Sequence, residues 1–167
     1  MDFEWLPVKR KPRIGILATG DEAMLPENLI HSNKPYVPTS ANAIHSCIHA
    51  CGGIAVNLGI PGQENHEIDA ILDRTHGLDM LIVVGGLSSY IQNHLWFRLS
   101  EHNVKLHLLN KTIGSDISAV CGQYGNMPIL GFPGNTAATI MCSAIYLRPI
   151  IEYMLGKPKL EMSFSYA

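Results

Sequence analysis

Charge is scarce in this 167-residue sequence: Asp, Glu, Lys and Arg together make up 16% of it, and the formal net charge is −2. So weak a charge gathers neither nucleic acid nor an anionic membrane surface, and both partner classes are set aside. Few charges also leave few groups to solvate the exterior. Part of the surface is therefore expected to be covered, in a homo-oligomer or against further domains of a larger multidomain protein. Cysteine is limited to Cys47, Cys51, Cys121 and Cys142. None forms a C-x-x-C pair, and all four are expected to be reduced and buried. A secretory signal is not expected in the opening stretch either. The start, "MDFEWLPVKRKPRIGIL", runs its basic cluster (Lys9, Arg10, Lys11, Arg13) into a strand pattern rather than into an apolar stretch with a small-residue cleavage site. The default location is then the cytoplasm, and the cluster reads as a solvated lead-in. The one long apolar run, Thr136 to Leu155, contains Arg148, Pro149 and Glu152. It reads as a core or interface helix kinked near Pro149, not as a membrane span. Neither the P-loop pattern nor G-x-G-x-x-G occurs.

What is present is an alternation of strand-like and helix-like segments. "RIGILAT" (Arg13 to Thr19) is a short apolar run ended by glycine, as in a buried strand. "TSANAIHSCIHACGG" (Thr39 to Gly53) has a Ser/Thr start, apolar spacing of three and four, and a Gly-Gly stop, which predicts a helix. "IAVNLGI" (Ile54 to Ile60) predicts a second strand. "ENHEIDAILDRTHG" (Glu64 to Gly77) predicts an amphipathic helix with Ile68, Ile71 and Leu72 inward and Gly77 closing it. "LDMLIVVGG" (Leu78 to Gly86) is the clearest buried strand, and Ser89 to Asn103 the helix after it. "VKLHLL" (Val104 to Leu109) alternates with period two, as an edge strand does. "MPILGFPGN" (Met127 to Asn135) is a strand ending in a glycine turn, followed by the long helix. Glu22 to Pro38 and Asn110 to Gly125 are expected to be the least structured stretches. The whole predicts an α/β fold, a mostly parallel sheet covered on both faces. Its expected limits are a lead-in at residues 1–12, a domain at 13–156 and a tail at 157–167.

The segment "HSCIHAC" (His45 to Cys51) has metal-ligating residue types, but helix geometry separates them. At about 100° per residue, His45 and His49 share one face, while Cys47 and Cys51 lie roughly 200° away. Ile44, Cys47, Ile48 and Cys51 form the apolar stripe, which leaves both histidines toward solvent or a partner. A four-ligand metal site is not expected here.

Ligands of parallel α/β sheets sit at the carboxyl ends of the strands. Three glycine-bearing turns fall there: Thr19-Gly20-Asp21-Glu22, Gly85-Gly86-Leu87-Ser88 and Pro133-Gly134-Asn135. Glycine admits close approach of backbone to a ligand, and a following helix offers free N–H groups and a positive dipole end. Each turn is suited to an oxyanion, or serves only as a sharp strand-to-helix connection. Asp21 and Glu22 are adjacent carboxylates, able to hold Mg²⁺ or to cap a loop. No Ser-His-Asp or Cys-His arrangement follows from spacing. Tyr90, Gln92 and Asn93 cannot act as a general base near neutral pH. These residues alone give an α/β domain that binds an anionic small molecule.

Taken in order, the motifs resemble the molybdopterin-binding domain of MoeA-type molybdopterin molybdotransferases, related to the gephyrin E region. "RKPRIGILATGDE" (Arg10 to Glu22) is similar to the opening of that domain. "HSN" (His31 to Asn33) is similar to its "DSN", "VVGGLSS" (Val83 to Ser89) to its "TSGGVSVGDxD", and "ILGFPGNTAA" (Ile129 to Ala138) to its "GLPGNPVS". The resemblance covers about residues 8 to 156. It implies a three-layer α/β/α domain that binds a small-molecule pterin or nucleotide. It implies the reaction in which molybdate enters adenylylated molybdopterin with release of AMP. Carried onto this sequence, it implies that Thr19, Gly20, Asn33, Gly85, Gly86, Ser88, Asn93, Pro133, Gly134 and Asn135 line the pocket for molybdopterin or its adenylylated form. Asp21, Glu22 and Lys111 are the implied catalytic groups, with Mg²⁺ or molybdate at Asp21 and Glu22.

The sequence departs from the family in one loop: Tyr90-Ile91 stand where it has Gly-Asp, and Asn93 where it has a further aspartate. Pro133-Gly134-Asn135 is followed by Thr136 rather than proline, His31 replaces an aspartate, and Lys111 alone represents the family's "KPGKP". Losing one electrostatic group from an active site commonly costs about 2.7–4 kcal/mol. The expectation is that these losses weaken both binding and chemistry, with ordinary turnover not expected unless other residues compensate. The alternatives are a catalytically inactive binding or assembly module, or another enzyme of the same fold superfamily such as a competence-damage nucleotide hydrolase.

Overall fold

The computed structural model describes residues 5–18, 39–59, 65–85, 99–102, 104–107 and 119–158. Six strands form one sheet: β1 (Arg13–Ala18), β2 (Ile54–Gly59), β3 (Met80–Val84), β4 (Val104–His107), β5 (Val120–Tyr124) and β6 (Met127–Phe132), in the order β2-β1-β3-β6-β5-β4. The pairs β1–β2, β1–β3 and β3–β6 are parallel, whereas β5 runs antiparallel to both β6 and β4. The sheet is therefore mostly parallel with an antiparallel margin, and β4 is the edge strand its alternation predicts.

Side-chain alternation builds the layers. From β3, Met80, Ile82 and Val84 enter one core with Ile14, Ile16, Leu130 and Phe132. Helix α1 (Thr39–Cys51) covers this face through Ile44 and Ile48, and the C-terminal helical run covers it through Cys142, Leu147 and Ile151. Leu81 and Val83 point the opposite way and join Leu17, Leu58, Ile129 and Val104. There they meet Ile71 and Leu72 of α2 (Asn65–Asp73), and Leu99. Apolar side chains on both faces of each central strand require helices on both sides, which is the three-layer α/β/α architecture. No helix among the described residues is long and apolar enough to cross a membrane.

Glycine ends α1 as expected. The Gly52 N–H bonds to the His49 carbonyl at 3.0 Å and the Gly53 N–H to that of Ile48 at 2.9 Å, with Gly52 at φ 94°. This six-to-one and five-to-two pairing closes the helix and turns the chain straight into β2.

Three expectations are corrected. Asn110 to Gly125 is not wholly without regular structure: Val120–Tyr124 is β5, joined to β6 by a two-residue turn at Gly125-Asn126. Gly125 has φ 57°, the conformation such hairpin turns demand. The C-terminal run is not one continuous α-helix; the disturbance expected near Pro149 takes the form of a π turn within that run. It comprises α3 (Thr136–Cys142), a π-helical turn (Ser143–Leu147) and α4 (Arg148–Met154). The Arg148 N–H reaches back five residues to Ser143, so the register slips one turn before Pro149, which has no N–H to give. Finally, only Cys142 is buried; Cys47, Cys51 and Cys121 are half-buried, and all four are free thiols.

Candidate functional site

Sheet order brings the carboxyl ends of β1, β3 and β6 side by side, because the three strands are adjacent and parallel. Ala18 lies opposite Val84, and the Gly85 N–H donates to the Phe132 carbonyl at 2.8 Å. Gly85 has φ 95°, a left-handed conformation that a side chain would strain. After β1 the chain crosses to β2 on one flank and then to β3 on the other. The gap between β1 and β3 is thus the switch point at which such sheets take ligands.

Two helix starts converge on this edge. The Asn135 side-chain oxygen accepts from the N–H groups of Ala137 at 2.9 Å and Ala138 at 3.3 Å, capping α3. The Thr139 hydroxyl donates to the Pro133 carbonyl at 2.5 Å and fixes the turn from below. From α1, the Ser40 hydroxyl donates to the Gly134 carbonyl. Thr136 lies 3.1 Å from the Ser40 hydroxyl oxygen and 2.8 Å from that of Thr39. Thr39, Thr136 and Ser40 thus form a chain of hydroxyls, and the Gly134 carbonyl takes its inner proton.

Proton accounting shows what that chain can do. Ser40 is committed as donor to Gly134, so it can only accept from Thr136. When the Thr136 proton turns instead to Thr39, the Thr39 proton is released toward solvent or an anion. Together with the positive end of α1, this favours a negatively charged ligand at the edge. Neither helix start brings an ionisable side chain. The Cys142 thiol is pushed up by burial, and that of Cys51 chiefly by desolvation, so both stay protonated near neutral pH and neither is a nucleophile.

Of the residues implied by motif, the structure brings together Gly85, Pro133, Gly134 and Asn135. Asn135 has its side-chain oxygen committed to the helix cap. Thr19, Gly20, Asp21, Glu22, Asn33, Gly86, Ser88, Asn93 and Lys111 lie outside the described residues, as do His31, Tyr90 and Ile91. Thr39, Ser40 and Thr136 were read from sequence only as helix starts. Their hydroxyls face one another because α1 packs beside α3, a relation between residues nearly a hundred apart that spacing does not encode.

The predicted histidine geometry is present on α1. The rings of His45 and His49 lie with centroids 4.7 Å apart on the exposed face, and Cys51 packs toward the core. Among the described residues no three or more His, Cys, Asp or Glu cluster as metal ligands.

Fold and site together define a class: a three-layer α/β/α domain whose ligand edge is built from glycine turns and helix starts. No protein-family model matches the chain. Among curated proteins it is similar to molybdopterin molybdenumtransferase 2 of Mycobacterium tuberculosis, at 22% identity over 161 residues, covering 92% of this chain and 39% of that protein. It is 26% identical over 157 residues to molybdopterin molybdenumtransferase of Bacillus subtilis, covering 90% and 35%. The chain thus spans little more than a third of these relatives. Among solved structures, the molybdopterin biosynthesis MoeA protein of Pyrococcus horikoshii superposes with a TM-score of 0.68 at 20% identity, over 89% of this chain and 36% of that one. The molybdopterin biosynthesis enzyme MoaB of Thermus thermophilus superposes with a TM-score of 0.58 at 20% identity, over 89% of this chain and 99% of that one. These matches bear out the resemblance read from the motifs: the chain is similar to about a third of each molybdenumtransferase, and its fold is shared with the MoeA protein and with a MoaB chain that it covers almost end to end.

Proposed function

We propose that this chain is a molybdopterin-binding domain of molybdenum cofactor biosynthesis. It holds molybdopterin or its adenylylated form at the carboxyl edge of the sheet, where molybdate is inserted and AMP released. The observation that carries the reading is the convergence of Gly85, the Pro133-Gly134-Asn135 turn and the hydroxyls of Thr39, Ser40 and Thr136 at the carboxyl edge of the sheet. The names of the relatives and neighbours point to the same pathway. They lend no support to a catalytically silent module as the main reading.

In this reading backbone N–H groups and the α1 dipole hold the phosphates, and the hydroxyl chain adjusts its proton to the charge placed against it. Asp21, Glu22 and Lys111 are proposed as the catalytic groups, with Mg²⁺ and the molybdate substrate at the two carboxylates. Ile91 and Asn93, in the place of two family aspartates, slow turnover. The proposal extends to assembly. Ile140 and Met141 of α3 and Tyr153 of α4 stand exposed, apolar side chains that a second copy or a further domain would cover.

Calorimetric titration of the intact chain with AMP, and then with molybdopterin, tests binding: saturable heat is expected, and none up to millimolar AMP or with molybdopterin would refute the reading. Turnover of adenylylated molybdopterin and molybdate tests the catalytic part. Asp21→Ala should abolish it, and Ile91→Asp should raise it about tenfold or more, a fraction of what one electrostatic group supplies.

A further inference from the structure

We propose a second, independent site: His45 and His49 on the outer face of α1 chelate a divalent late first-row transition ion. One helical turn apart, they share a face, and both are exposed. Their ring centroids are 4.7 Å apart, with the planes tilted by 46°. Metal–nitrogen bonds of about 2.0–2.1 Å place an ion about 3.2 Å from each ring centre. Two imidazoles on one ion then have centres about 4.5 Å apart at a right-angled N–metal–N and about 5.2 Å at a tetrahedral one. The observed separation falls between the two, so the spacing of the rings suits one shared ion without movement of the helix.

The rest of the coordination sphere is open. The Ser46 hydroxyl beside the pair donates to the Asn42 carbonyl at 3.0 Å. No third His, Cys, Asp or Glu joins the histidines among the described residues. The protein supplies two imidazole nitrogen donors, and water or a donor from another molecule completes the shell. Imidazole suits copper, nickel and zinc, with copper(II) bound most tightly among them. Because α1 opens at the ligand edge, the ion would sit about 12 Å along the helix from Thr39, midway between the two histidines at 1.5 Å per residue. It is separate from that edge and does not depend on what binds there.

Zinc titrated calorimetrically into the intact chain, with thiols held reduced by a non-chelating phosphine, tests the site. One ion should bind. His45→Ala and His49→Ala should each weaken it at least tenfold, while His76→Ala, His107→Ala and Cys47→Ser leave it within twofold. Circular dichroism checks that the variants keep the helix. As a second readout, zinc should raise the melting temperature of the unaltered chain and not that of the double His45→Ala, His49→Ala variant. Unchanged zinc affinity in either histidine variant, or no binding to the unaltered chain, overturns the proposal.

Discussion

Asp79 shows how much one side chain can organise. It accepts from both terminal nitrogens of Arg10, at 2.7 and 2.6 Å, and from the Arg13 N–H at 2.7 Å. It thereby straps the lead-in across the amino edge of the sheet, opposite the ligand edge. The Arg10 hydrogen bond, with help from the Arg13 N–H, holds its carboxyl below the usual carboxylate range. A depressed carboxylate stabilises the fold fully above its unfolded value, and that contribution disappears as pH falls through the lower folded one. Asp79→Asn should cost about 1–2 kcal/mol at neutral pH, given charged hydrogen bonds that are partly solvent-screened. The gap between variant and parent should begin to narrow near pH 4 and close only as pH falls through the lowered folded value; urea unfolding from pH 7 to pH 3 measures the cost and its narrowing. At the other edge, Thr136→Val breaks the hydroxyl chain. It should weaken AMP binding about tenfold, the worth of one hydrogen bond to a charged group, while Thr136→Ser keeps the affinity.

Elements differ in how plainly the sequence announced them. The buried strands β1 and β3 and the helix α1 were legible because their signals are local: an unbroken apolar run, or apolar spacing closed by Gly-Gly. Gly52→Ala tests that closure; forcing alanine to φ 94° should destabilise by about 1 kcal/mol in thermal unfolding. β5 was missed because "VCGQY" has neither a long apolar run nor clear alternation. Its two faces are split between Cys121, packed on one core, and Val120 and Tyr124, packed on the other. The Gly125-Asn126 pair was the available signal. The π turn was equally hidden. Pro149 marked a disturbance, but the hydrogen bonds shift where Ser143 begins a wider turn, and its hydroxyl bonds back to the Thr139 carbonyl at 2.9 Å. Of the ligand edge, the glycine turns were readable as motifs. The meeting of two helix starts was not, since it follows from strand order alone.

Across the whole molecule, the parallel strands must find partners far along the chain: β1 beside β3, and β3 beside β6. Among the described strands, only β5 and β6 pair as neighbours joined by two residues. That contrast has a kinetic consequence. A hairpin closes in about 1–10 μs, well before contacts whose loop-closure entropy is larger. Its strand β6 can then offer a ready edge to β3, with the parallel half of the sheet condensing onto it. Gly125→Ala, which strains the turn at φ 57°, should slow refolding several-fold and leave unfolding nearly unchanged in stopped-flow chevrons. Ile16→Val in β1 should instead mainly speed unfolding. The one antiparallel corner of a parallel sheet would then be the place where the chain starts to fold, and the ligand edge, which needs β1, β3 and β6 together, among the last parts to form.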